Sequence, residues 1–339
     1  SPLQKTSPAS WRSWLRTILV DDRSDRRCRR PQSALVGIAI PSATSGERAV
    51  DGAKSVFRQW LRERKRSRKR TTALRNSGAV FLSPGKSGRT WVRAMLSQVC
   101  HLAFETPVDQ LISDDNLHRL DKRAPSVLFT HGVDEPNALL RQLNAKGLRD
   151  KHVIALVRDP RDVLVSRYHH FHNRSARFAR QHGGKQRPTS KAIGDFIRAG
   201  NRIERLVRRI DEFRTLAASV PSGHLFQYEA FRREPEAQLA TLLRAIDCAV
   251  DDVHIAAAVE FARFENLKKR EAESFYQTES MRPGDPSQPN SFKVRRGKVG
   301  GFRDELSPTE IAEIDARIDA LLAPGLGYRS DEQKAAVNL

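Results

Sequence analysis

Cysteine, methionine and tyrosine are scarce in this chain, with 3, 2 and 4 residues among 339. Cys28, Cys100 and Cys248 stand far apart with no C-x-x-C spacing. That argues against a disulfide framework and a zinc site, and it suits a reducing, cytoplasmic setting. Long apolar runs are also missing. The longest, residues 35–41 and 153–157, are strand-sized and fall well short of the roughly 18 residues a spanning helix needs, so an integral membrane protein is not expected. Acidic residues are the third shortage, with 40 Asp+Glu against 60 Lys+Arg for a net charge of +20. A hydrophobic share of 39% is still enough to build a core.

The excess charge asks for an anionic partner, and its position narrows the choice. Residues 1–76 hold 19 Lys+Arg and 6 Asp+Glu, while the rest of the chain carries a surplus of only 7. The first quarter therefore reads as a basic extension, rich in Ser, Arg and Pro, with the run Arg62-Glu63-Arg64-Lys65-Arg66-Ser67-Arg68-Lys69-Arg70. Like charges on every face of a helix suggest a solvated, poorly ordered arm. A peripheral contact with an anionic surface through residues 62–70 is the sharper reading, and it would be salt-sensitive. Residues 1–20 lack acidic side chains, which loosely suits a transit peptide.

From Gly78 the pattern changes to short apolar runs alternating with helical spacing. Residues 79–83, 127–130, 152–157 and 225–228 read as buried strands, and residues 236–246 and 310–322 as helices. Strands separated by helices imply an α/β fold with a parallel sheet covered on both faces and ligands at the carboxyl ends of the strands. The expected organisation is an extension (1–76), an α/β domain (77–328) and a short tail (329–339). Residues 275–296 form a long polar stretch with four Pro or Gly, the composition of a functional or disordered loop.

Two strand-to-helix junctions carry the chemistry. Pro84-Gly85-Lys86-Ser87-Gly88-Arg89-Thr90-Trp91 follows the first strand, and a glycine-bearing turn feeding a helix N-terminus presents amides and a dipole end to a phosphate. A nucleoside-triphosphate loop needs Gly five residues before the Gly-Lys pair, where Val80 stands. Trp91 can stack on an adenine, although an indole in a first helical turn also serves as core. At the second junction, Val157-Arg158-Asp159-Pro160, Asp159 is an N-cap with Pro160 at the first helical position and Asp162 supporting the first turn. Arg158 is left at the strand end to fork onto an anion, and Ser166 lies about two turns on.

These segments resemble the sulfotransferases that use 3′-phosphoadenosine 5′-phosphosulfate (PAPS). Lys86 through Trp91 is similar to the family's 5′-phosphosulfate loop and Arg158 through Ser166 to its 3′-phosphate motif. Tyr228-Glu229 and Phe264 resemble adenine-contacting segments. Arg295-Arg296-Gly297-Lys298-Val299-Gly300 resembles the late basic-glycine motif. The resemblance implies a P-loop-like three-layer α/β/α fold with a central parallel sheet. It also implies sulfonate transfer from PAPS, without a metal, to an acceptor hydroxyl or, as a second choice, an amine.

In this reading His131, after Leu128-Phe129-Thr130, is the general base and Lys86 stabilises the departing phosphate with the amides of Ser87, Gly88, Arg89, Thr90 and Trp91. Arg158, Ser166, Arg295, Arg296 and Gly297 hold the 3′-phosphate, and Trp91, Tyr228 and Phe264 enclose the adenine. The acceptor is a small molecule, carbohydrate or lipid, with no specific nucleic acid partner expected. Departures from the family pattern are Arg89 in place of Thr, Gly85 in place of Pro, and Ala262 in place of a hydroxyl residue. Pro308 and Ala312 also interrupt a short dimerisation motif. The alternatives are a P-loop kinase or nucleotidase using ATP and magnesium, and a nucleic-acid- or membrane-binding protein on an inactive sulfotransferase scaffold.

Overall fold

A computed structural model describes the backbone of residues 46–132, 142–175 and 192–337, and the side chains of residues 61–132, 142–173 and 192–333. The chain falls into two units, residues 1–59 and 60–339, and the second carries the features below.

Four parallel strands, β1 (Ala79–Leu82), β2 (Val127–Thr130), β3 (His152–Val157) and β4 (Gly223–Gln227), form one sheet in the order β2-β1-β3-β4. Their side chains alternate between faces with period two. Phe81, Phe129 and Ile154 enter one apolar cluster, while Val80, Leu82, Leu128, Val153 and Ala155 enter another. Burial on both faces explains why β1, β2 and β3 read as continuous apolar runs, whereas the edge strand β4 is mostly half-buried and leaves Leu225 exposed. The helices Arg89–Phe104 and Asp252–Phe261 cover the first face through Met95, Val99, Ile255 and Ala258. On the second face the helix Arg202–Ala218 contributes Phe213 and Ala217. The result is the three-layer α/β arrangement expected from the sequence.

Register sets the site. Leu82 lies opposite Thr130 and Ala155, and Val157 lies opposite Gln227. The residues that follow the strands, Ser83, His131, Arg158 and Tyr228, therefore gather along one edge of the sheet. Tyr228 opens the helix Tyr228–Arg233 instead of closing the strand as expected.

Part of the expected 1–76 extension is helical. Gly46–Asn76 is a helix, and residues from Trp60 onward belong to the same unit as the sheet. Arg70 donates to Asp114 at 3.1 Å and to the Phe129 carbonyl at 2.9 Å, and Leu74 is buried. The apolar and anchoring positions Arg70, Ala73, Leu74 and Ser77 follow helical spacing, but the adjacent charges obscure them in the sequence. Lys and Arg are themselves good helix formers, and residues 62–66 keep their side chains exposed, where salt screens their repulsion. The expected C-terminal tail likewise contains a helix, Ser330–Val337, whose first amide donates to Asp319.

The long polar stretch is an irregular but anchored loop. Fully buried Glu271 accepts from the amides of Lys293 and Val294 at 2.6 and 2.8 Å, fixing the segment's end beside the sheet edge.

Candidate active site

The loop after β1 turns through two left-handed residues, Lys86 (φ 80°) and Gly88 (φ 90°), before the helix Arg89–Phe104 begins. Gly88 is required on two counts. Its φ disfavours side chains, and a Cβ there would sit 2.4 Å from Cδ2 of Tyr228. The amide of Ser87 bonds to Pro84 O and that of Trp91 to Gly88 O, so two of the five expected loop amides are already engaged. Arg89 and Thr90, as the first helical residues, have no acceptor within the helix.

Arg158, at the end of β3, lies over the Tyr228 ring at 4.2 Å and donates to Asp162 at 3.1 Å and to the Lys298 carbonyl at 3.1 Å. Asp159 caps the following helix by accepting from the Arg161 amide, as the sequence predicts. Asp162 does more than support that first turn. Buried at 3% exposure, it also accepts from the amides of Gly300 and Phe302, pinning the late basic-glycine segment to the strand edge. Behind it, fully buried Arg161 bonds Asp159, Asp315 and the Tyr328 carbonyl, while Glu229 accepts from the Asp159 amide and the Tyr328 hydroxyl. None of these supporting contacts was foreseen. A carboxylate directly after each strand-end residue, Asp159 and Glu229, was the available signal.

In the late segment Gly297 (φ 61°) lies against Phe264, where an added Cβ would be 2.7 Å from the ring. Arg295 donates to Glu305 at 2.7 Å, and Arg296 reaches Glu305 at 3.2 Å and also Asp304. Glu305 further contacts His169. Burial pushes its carboxyl up, but hydrogen bonds from His169 and Arg295 prevail and hold it at about 2.

His131 emerges from β2 facing Gly85, whose Cα hydrogen points at the imidazole; a Cβ there would meet the ring at 3.8 Å. Its Nδ1 lies 2.8 Å from the Ser83 carbonyl. A carbonyl only accepts, so the proton resides on Nδ1 and the Nε2 lone pair is the basic site. Arg89 Nη2 lies 2.8 Å from that Nε2. Burial first, and then the Arg89 charge, lower the imidazole pKa to about 4, so His131 is neutral near pH 7.

These elements enclose a cleft of about 1270 Å³, above the roughly 300–1,000 Å³ of ordinary ligand pockets. Every side chain singled out from the sequence lines it except that of Ser87, which is fully buried under the loop. The tight turn directs the Ser87 hydroxyl inward, whereas the role the resemblance implies for Ser87 is that of its backbone amide. Trp91 stands edge-on to Tyr228 at 5.9 Å and donates from Nε1 to the Ala262 carbonyl at 2.8 Å. The lost hydroxyl at position 262 thus leaves a backbone contact in place.

The chain is similar to the cytosolic sulfotransferase 12 of Arabidopsis thaliana, with 23% identity over 270 residues, covering 72% of this chain and 77% of the relative. Among solved structures, that of the mouse sulfotransferase SULT7A1 complexed with PAP aligns with a TM-score of 0.51 at 15% identity, covering 78% of this chain and 89% of the other. A retinol dehydratase in complex with retinol and PAP aligns at 0.49 with 16% identity, covering 72% and 80%. Among the described residues no helix is long and apolar enough to cross a membrane. The sulfotransferase domain model matches residues 78–325, and the chain belongs to that family.

Proposed function

We propose that the cleft binds PAPS and that the enzyme passes its sulfonate to the hydroxyl of a small-molecule, carbohydrate or lipid acceptor. The carrying observation is the Gly88–Tyr228–Arg158 assembly at the sheet edge in a chain of this family. Two glycines set flush against two aromatic rings, Gly88 on Tyr228 and Gly297 on Phe264, leave backbone exposed beside flat faces and cations. That combination fits an adenine nucleotide bearing phosphates.

Lys86 and the amides of Arg89 and Thr90 would hold the 5′ end, with the helix N-terminus adding positive potential. Arg158, Ser166, Arg295 and Arg296 would hold the 3′-phosphate, and Trp91, Tyr228 and Phe264 the adenine. The bound donor supplies an activated sulfonate and a phosphate leaving group. His131, fixed by Ser83 through Nδ1, would take the acceptor proton at Nε2, a contribution of about 10²–10⁴ in rate. Arg89 must first release Nε2, and an anion arriving at the loop gives its guanidinium another partner. The cationic environment keeps His131 neutral until then.

A cytoplasmic setting is part of the proposal. It rests on the named cytosolic relative and on Cys100 and Cys248, both free and buried. Incubation with isotope-labelled PAPS and a panel of hydroxyl acceptors, read by mass spectrometry, tests the reaction. Labelled sulfonate should appear on an acceptor with wild-type enzyme and fall sharply with Lys86→Ala. Labelled donor that stays intact with every acceptor would count against the assignment.

A further inference from the structure

The cleft wall carries fourteen Lys and Arg side chains and two carboxylates, Asp162 and Glu279. Asp162 is engaged by Arg158, and Glu279 pairs with Arg282 at 2.7 Å. The donor's charged groups, in the proposed reading, account for the cations of the β1 loop, of β3 and of the late segment. A second group includes Arg167, close to His131. Arg167 reaches the Gly85 carbonyl at 3.4 Å, and Gly85 abuts the His131 ring. Arg202 and Arg205 line the same cleft, and their charges act on Arg167.

The contacts of these three arginines are with backbone and ring groups. Arg202 donates to the carbonyls of Phe196 and Ala199 and lies over the Phe196 ring at 4.2 Å, and Arg205 donates to the Gly200 carbonyl. Among the described residues none of the three has a carboxylate partner. Burial, followed by the charges of Arg205 and Arg202, pulls Arg167 down to about 10. Such a cluster destabilises the empty site through mutual repulsion, and an oxyanion bound between the guanidinium groups relieves it through charge-assisted hydrogen bonds. The position matters because the charge of Arg167 reaches His131, where the acceptor hydroxyl must sit.

We infer that the acceptor carries an oxyanion of its own, a carboxylate, sulfate ester or phosphate, which Arg167, Arg202 and Arg205 hold while its hydroxyl faces His131. This inference rests on the sulfotransferase reading and names the acceptor class within it. Neutral phenols and sterols lack the group that the cluster recognises and would leave the three cations without a counter-ion.

The test is calorimetry on the full chain saturated with 3′,5′-adenosine bisphosphate (PAP), titrated with one disaccharide in neutral, carboxylated, O-sulfated and O-phosphorylated forms. At least one anionic form should bind tenfold or more tightly than the neutral form, and which one does so identifies the oxyanion. Arg205→Gln, at an exposed position, and the double variant Arg167→Gln/Arg202→Gln should erase that preference while keeping wild-type PAP affinity and melting temperature. If the double variant fails to fold, Arg205→Gln alone decides. Equal or absent binding of neutral and anionic forms by wild type, or a preference unchanged in Arg205→Gln, overturns the inference. Failure of wild type to bind PAP would instead strike the sulfotransferase reading, so the two failures are separable.

Discussion

Arg89 Nη2 sits 2.8 Å from Nε2 of His131, on the one lone pair through which that histidine can accept a proton. The proposed base is therefore masked by the residue that stands where the family resemblance places threonine. This contact gives the first prediction a definite sign. Burial would still depress His131 in Arg89→Thr, but the loss of the neighbouring cation should raise its pKa from about 4 toward the ordinary 6.5. The acid limb of kcat/KM, which reports the free enzyme, should move to higher pH. An unmoved limb would mean that Arg89 does not contact His131 in the working enzyme.

His131→Ala should lower turnover by about 10²–10⁴-fold, the usual worth of a positioned general base, with PAP affinity nearly unchanged in a direct titration. There is also a stability signature. The folded-state pKa lies below that of the unfolded chain, so unfolded protein takes up the proton first as pH falls. The wild type should lose stability from about pH 6.5 down to about 4, and the variant should lack that component in denaturant titrations across the same range. Wild-type turnover in the variant would remove His131 from the mechanism.

Gly88→Ala combines a left-handed backbone with a Cβ only 2.4 Å from the Tyr228 ring. Backbone strain of this kind costs about 1–3 kcal/mol, and shifting Tyr228 would disturb the Arg158 stack. Both melting temperature and PAP affinity should fall. An unaffected PAP affinity would show that the Gly88–Tyr228 contact does not shape the nucleotide site.

Asp162→Ala should be more damaging to stability than its position in a first helical turn suggests. It would remove the partner of Arg158 and the acceptor for the amides of Gly300 and Phe302. Breaking a buried charge pair costs about 3–5 kcal/mol, measurable by urea denaturation. Hydrogen exchange in residues 295–302 should also accelerate. If exchange there matched wild type, Asp162 would not be the anchor of that segment.

The fold was legible because the buried strands are continuous apolar runs. Residues 127–130 and 152–157 match the observed strands, and the N-cap at Asp159 follows from Asp-Pro alone. Local chemistry also revealed the Lys86–Trp91 loop. What the sequence concealed was mostly contact at long range. The amides of Gly300 and Phe302 lie 138 and 140 residues from Asp162, and no local pattern encodes that meeting. Arg167, Arg202 and Arg205 went unnoticed because ordinary amphipathic helices carry such residues on solvated faces, and only tertiary placement turns them toward a cleft. The basic run of 62–70 misled in the opposite direction, since its charge density hid the helical spacing of Arg70, Leu74 and Ser77 that docks against the domain.

The most direct test of the central claim is a calorimetric titration of the full chain with PAP and, separately, with ATP and magnesium. PAP should show saturable one-site binding that is markedly weakened in Arg158→Ala, and ATP with magnesium should bind much more weakly. Clear binding of ATP with magnesium alongside no binding of PAP would contradict that claim.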